Sequence, residues 1–162
     1  GLTAGEIKDG LEDFKPVKGR MNILKTGKGI TIIDDTYNAN PDSMKAAINT
    51  LRSLKGNHMG ILVAGDMLEL GDYAESMHRN IGRIAAGSNI AKLYVTGQFS
   101  EAVASGAMDE DMNPRDIFTG TKEDILKRIK DRLNPGDWVL VKGSRGIAME
   151  TIVQGLLEWA NQ

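Results

Sequence analysis

Apolar and polar positions follow two rhythms along this chain. Short aliphatic or β-branched runs lie at Ile30–Asp34, Gly60–Ala64, Leu93–Thr96, Asp116–Thr119 and Trp138–Val141. Most lack period-two alternation, as strands covered on both faces do. Between them run stripes at helical spacing: Met44, Ala47, Ile48, Leu51 and Leu54; Met77, Ile81, Ile84 and Ala85; Ile125, Leu126, Ile129 and Leu133; Met149, Ile152, Val153, Leu156 and Leu157. Residues 101–104 carry a weaker helical signal. Strand and helix alternate throughout, which predicts an α/β fold: a Rossmann-like, mostly parallel sheet of about six strands with helices on both faces. The start of the chain reads differently. Ala4–Phe14 predicts a helix and residues 15–20 a turn-rich stretch. Met21–Lys25 predicts a short strand that turns at Thr26–Gly29 into the next, a hairpin on the sheet edge. Asp109–Pro114 predicts an acidic surface loop.

At 162 residues the chain is long enough to bury a core, and 41% hydrophobic with 26% charged residues is ordinary for a soluble domain. A net charge of −2 gives no basic footprint for a nucleic-acid partner. The absence of cysteine excludes disulfides and thiolate metal sites and fits a reducing compartment. The apolar runs are too short to span a bilayer, and no signal-peptide pattern opens the chain. The expectation is a cytoplasmic domain with neither nucleic-acid nor membrane partners.

Three segments follow predicted strands, where parallel sheets place ligand sites. The first is Asp34–Asn40. Asn40 suits a helix N-cap, Pro41 the first helical position and Asp42 the positive end of the dipole. Capping leaves Asp34 and Asp35 unexplained, because two adjacent carboxylates repel unless ribose hydroxyls, a metal or an arginine shares the charge. The second is Gly65–Gly71, where Asp66 and Glu69 suit a cation or ammonium group, or equally a solvated turn. His78 in the following helix reads more readily as structural than catalytic. The third is Lys142–Gly146, where Lys142, Ser144 and Arg145 on a glycine-flanked turn form an anion site. No phosphate-binding G-x-x-x-x-G-K-[ST] loop, dinucleotide G-x-G-x-x-G, nucleophilic triad or metal cluster is present. The chain carries anion and carboxylate sites without an engine for phosphoryl transfer.

Four separated blocks, residues 14–21, 34–44, 64–71 with His78 downstream, and 141–145 followed by Met149 and Glu150, resemble the Mur ligases in the same order. The similarity is greatest to the branch that adds D-alanyl-D-alanine to UDP-N-acetylmuramoyl-tripeptide in peptidoglycan synthesis, and it spans nearly the whole chain. It implies the third domain of a three-domain, ATP-dependent amide ligase, with residues 1–19 as the tail of the central domain and 20–162 as the carboxyl-terminal domain. The partners implied are the central and amino-terminal domains, ATP, D-alanyl-D-alanine and the UDP-linked tripeptide. Mg2+ would be held by the central domain, so this chain alone is expected to be inactive, with no catalytic residue and no metal ligand of its own. Arg20, Asp35, Asn38 and Asn40 match nucleotide-contacting positions, and Asp66, Lys142, Ser144 and Arg145 suit the dipeptide. The alternatives are another amide ligase, such as a folylpolyglutamate synthetase, and a non-catalytic flavodoxin-like or receiver module.

Overall fold

A computed structural model of the chain describes residues 3, 5, 6 and 17–162. The helix expected over 4–14 lies, apart from residues 5 and 6, outside them. The strands are β1 (Asn22–Lys25), β2 (Thr31–Asp35), β3 (Gly60–Ala64), β4 (Lys92–Val95), β5 (Ile117–Thr119) and β6 (Trp138–Lys142), and the helices are α1 (Pro41–Leu54), α2 (Ala74–Gly87), α3 (Ser100–Asp109), α4 (Lys122–Lys130) and α5 (Glu150–Ala160). One six-stranded sheet has the order β1-β2-β6-β3-β4-β5. Only β1 runs antiparallel, as the expected edge hairpin with β2. The other pairings are parallel.

Pleating divides each central strand between two cores. Ile33, Leu62, Leu93 and Leu140 meet Met44, Ile48 and Leu51 of α1, Ile81 and Ala85 of α2, and Val103 of α3. Ile32, Ile61, Val63, Tyr94, Val139 and Val141 meet Ile125 and Ile129 of α4 with Ile152, Val153 and Leu156 of α5. Helices therefore cover both faces, which is why the strands read as unbroken apolar runs. Leu54, the last member of the first stripe, lies outside the core and stays exposed.

The helix over Ser100–Asp109 is longer than its weak pattern suggests. It packs against α2 through Gly82 and Gly106, where a Cβ would collide with the Val103 and Arg79 carbonyl oxygens respectively. Backbones that close need small residues, and small residues give little hydrophobic contrast. Polar ends extend β2 and β6 by one residue beyond the apolar runs, to Asp35 and Lys142. The parallel register sets those two residues opposite each other.

Candidate functional site

The loops after β2, β3 and β6 meet above the carboxyl edge of the sheet. Asp34 and Asp35 leave β2 on opposite faces, which separates their charges. Asp34 accepts the Thr36 N–H at 3.3 Å and hydroxyl at 2.7 Å. It faces a cavity on the α5 side with Lys18, Asn22 and Glu150. Asp35 faces the α1 side. One of its oxygens lies 2.6 Å from Lys142 Nζ and the other accepts the Met21 N–H at 3.0 Å. The buried Lys142 ammonium also donates to the Asn38 carbonyl at 2.8 Å. An opposite charge at contact distance makes a carboxylate tolerable at this depth, and here lysine supplies it.

Asp35 and Lys142 form the floor of a cavity of about 370 Å3 bounded by Met21, by Ala46 and Ala47 of α1, and by Arg20 and Tyr37 at its mouth. The Arg20 guanidinium carbon sits 4.4 Å from the centroid of the exposed Tyr37 ring. A cation over a ring face is attracted by the ring's quadrupole, and the contact leaves guanidinium N–H donors for an anion. The Tyr37 N–H donates to the Gly19 carbonyl at 2.8 Å, tying the entry segment to the β2 loop. Gly19 has φ +76, and a Cβ there would crowd the Tyr37 nitrogen. Asn40 closes a capping box with Ser43 at the start of α1, as its sequence position predicts. Asn38 Oδ1 accepts the Ala39 N–H at 2.9 Å. Both asparagines use their oxygens locally and border the cavity, so among the described residues their Nδ2 donors have no protein partner.

A second cavity of about 660 Å3 lies across Tyr37, bordered by Asn38, Asn40, Leu68, Glu69 and Arg145. Its walls are pinned by Ser144, whose hydroxyl accepts the Leu68 N–H at 2.9 Å and donates to the Ala39 carbonyl at 3.2 Å. The Ser144 N–H donates to the Asp66 carbonyl at 2.9 Å, so one buried serine joins all three loops. Arg145 is exposed, 5.9 Å from the Tyr37 centroid. Gly65 and Gly143 pack against each other over Met149, where a Cβ on either would approach Met149 to 2.7 Å. Close packing accounts for Gly143 at that turn.

Asp66 borders neither cavity. Its carboxylate is buried and accepts the Gln98 N–H at 2.7 Å and the Phe99 N–H at 3.1 Å, just before α3. Gly97, at φ +117, leaves room for that carboxylate where any Cβ would strike it. His78 lies 3.8 Å from Asp66, but its ring is committed elsewhere. Nε2 accepts the Met67 N–H at 2.9 Å and Nδ1 lies 2.6 Å from the Ala74 carbonyl. Only the neutral Nδ1–H tautomer satisfies both contacts, so the pair is no salt bridge.

The structure thus places Arg20, Asp35, Asn38 and Asn40 around one cavity and adds Lys142 to it. Arg145 stands at the other cavity, and Asp66 and Ser144 act as internal ties. Tyr37, which borders both cavities, drew no attention as a site residue in the sequence; its signal was an aromatic ring set among polar loop residues.

A family model described as "Mur ligase, glutamate ligase domain" matches residues 19–145. The chain is 37% identical over 158 residues to UDP-N-acetylmuramoyl-tripeptide--D-alanyl-D-alanine ligase of Bacillus subtilis (strain 168), covering 98% of this chain and 35% of that protein. Among solved structures, MurF from Acinetobacter baumannii superposes with a TM-score of 0.85 at 32% identity, over 97% of this chain and 34% of the other. MurF ligase from Thermotoga maritima in complex with ADP gives 0.76 at 27% identity, over 90% of this chain and 32% of the other. The chain spans about a third of the length of these relatives. Among the described residues, no helix is long and apolar enough to cross a membrane.

Proposed function

The chain belongs to the Mur ligase family, as its carboxyl-terminal domain, and we propose that it serves a cytoplasmic, ATP-dependent ligase joining D-alanyl-D-alanine to UDP-N-acetylmuramoyl-tripeptide for peptidoglycan. The observation that carries the nucleotide part is the Asp35 carboxylate, held by Lys142 on the floor of a cavity with Arg20 at its mouth.

In this reading ATP phosphorylates the tripeptide carboxylate, and the dipeptide amine displaces phosphate from the acyl phosphate. The domain contributes binding and placement. Asp35 keeps unused lone pairs on both oxygens and accepts hydrogen bonds from ribose hydroxyls. Arg20 meets the phosphates, with Tyr37 holding the guanidinium plane. Asn38 and Asn40 offer amide donors along the cavity wall. Lys142 neutralises Asp35, and Arg145 is the group free to take the dipeptide carboxylate. Ser144 pins the walls of the dipeptide cavity, while the Asp66 side chain serves as an internal tie outside it. Residues 1–19 form the tail of the central domain, a boundary supported by the family match starting at residue 19. ATP chemistry calls for Mg2+, but among the described residues no three His, Asp or Glu side chains cluster as a metal site. Mg2+ is usually held by one or two carboxylates together with the nucleotide's phosphates, and we assign those carboxylates to the central domain.

The test is Asp35→Asn and Arg20→Ala in the full-length ligase. Each removes a charge-assisted contact worth about 1.5–3 kcal/mol, so the KM for ATP should rise about 10- to 100-fold. Unchanged ATP kinetics in both variants would overturn the assignment, and ligase turnover by the 162-residue chain alone would overturn its reading as inactive without the other domains.

A further inference from the structure

Glu69 stands unassigned in the wall of the second cavity. We propose that Glu69 binds the ammonium end of a zwitterionic dipeptide whose carboxylate lies at Arg145; this rests on, and deepens, the ligase reading above.

Three observations support it. First, the residues bordering that cavity include one anionic side chain, Glu69, and one cationic side chain, Arg145, together with uncharged groups such as Asn38, Asn40 and Leu68. Second, Glu69 and Arg145 border the same cavity of about 660 Å3, and neither takes part in the ion pairs found among the described residues. Opposite charges left without each other on the border of one cavity suit a ligand carrying its own two charges at its ends, about 7 Å apart for an extended dipeptide. Third, Glu69 has φ +65, a left-handed backbone that glycine adopts freely and glutamate does not. The two residues before it are held by their N–H groups, Met67 on His78 Nε2 and Leu68 on Ser144 Oγ. Backbone strain of this kind clusters at ligand sites, where the surrounding structure holds it in place. Asp66 is unavailable for the ammonium, because two backbone N–H groups occupy its buried carboxylate.

The experiment is calorimetric titration of the full-length ligase, loaded with a non-hydrolysable ATP analogue. The ligands are D-alanyl-D-alanine, N-propionyl-D-alanine, which lacks only the amino group, and the dipeptide's carboxamide. The wild type should bind the propionyl compound about 10- to 100-fold more weakly than the dipeptide. In Glu69→Gln that preference should collapse, with the dipeptide weakened to the level of the propionyl compound. Glu69→Gly accepts the same backbone angles and should lose the preference too. Retention of the amino-group preference in both variants, while Arg145→Gln loses its preference for the carboxylate over the carboxamide, would overturn the Glu69 assignment alone. If the wild type binds no dipeptide, or Arg145→Gln changes nothing, the ligase reading of this cavity fails with it.

Discussion

At the β2/β6 end of the sheet edge, the Asp35 carboxylate pairs with Lys142, takes one backbone N–H, and turns what remains toward a cavity. At the β3/β4 end, the Asp66 carboxylate receives two backbone N–H groups, has a neutral histidine behind it, and borders no cavity. Both aspartates are buried, both lie at or just past the end of a buried strand, and both sit by a residue able to carry positive charge. They differ in what their lone pairs have left to do. A strand-end carboxylate is a ligand group only where the fold leaves it acceptor capacity facing open space, and Asp66 has been used to start α3.

The hardest blow to this contrast is Lys142→Met. It keeps the aliphatic volume but leaves the Asp35 charge buried without its partner, and losing one member of a buried pair costs about 3–5 kcal/mol. Urea unfolding of the chain should show that loss, and adding Asp35→Asn to the same variant should recover a good part of it. Full-length ligase carrying both changes should still be poor in ATP use, because stability returns and the ribose acceptor does not. A double variant with normal ATP kinetics would mean that Asp35 is a structural group like Asp66.

The converse probe is Asp66→Ala. Two N–H groups lose their acceptor at the start of α3, for an expected loss of about 1–3 kcal/mol in unfolding free energy. The KM values for ATP and for D-alanyl-D-alanine in the full-length ligase should stay within about twofold of wild type at a temperature where the variant is folded, since a twofold change is only about 0.4 kcal/mol. A selective rise in the dipeptide KM would return Asp66 to the substrate site.

These two aspartates also mark where sequence reasoning stops. The apolar strands were legible because both faces are buried, and the α1 start because Asn40, Pro41 and Ser43 carry its cap in four consecutive residues. The three site loops were legible because a parallel sheet brings strand ends together. The roles within them were not. Whether Asp34 or Asp35 faces the cavity depends on the pleat, and pairing Lys142 with Asp35 depends on the β2–β6 register between residues 107 apart in sequence. The capping role of Asp66 needed Gly97 at a positive φ and amides 32 and 33 residues away. Long-range partners of this kind leave no local periodicity to read.

A third carboxylate sharpens the scale at its low end. Asp109, at the end of α3, accepts from Arg79 at 2.9 Å and Arg83 at 2.7 Å, with both arginine side chains 44% exposed. The hydrogen bonds from Arg79 and then Arg83 hold its carboxyl below the usual carboxylate range. A group depressed in the folded state stabilises above its unfolded pKa, and that contribution fades as pH falls through the folded value. Water and salt screen such a surface cluster, so Asp109→Asn should shift the urea midpoint at pH 7 far less than Lys142→Met does. The wild-type-minus-variant difference should shrink both in 1 M salt and on acidification below about pH 4, the ordinary aspartate range. A difference as large as that of Lys142→Met, or one indifferent to salt and acid, would show that two hydrogen-bonded arginines, rather than burial, set what a carboxylate is worth in this fold.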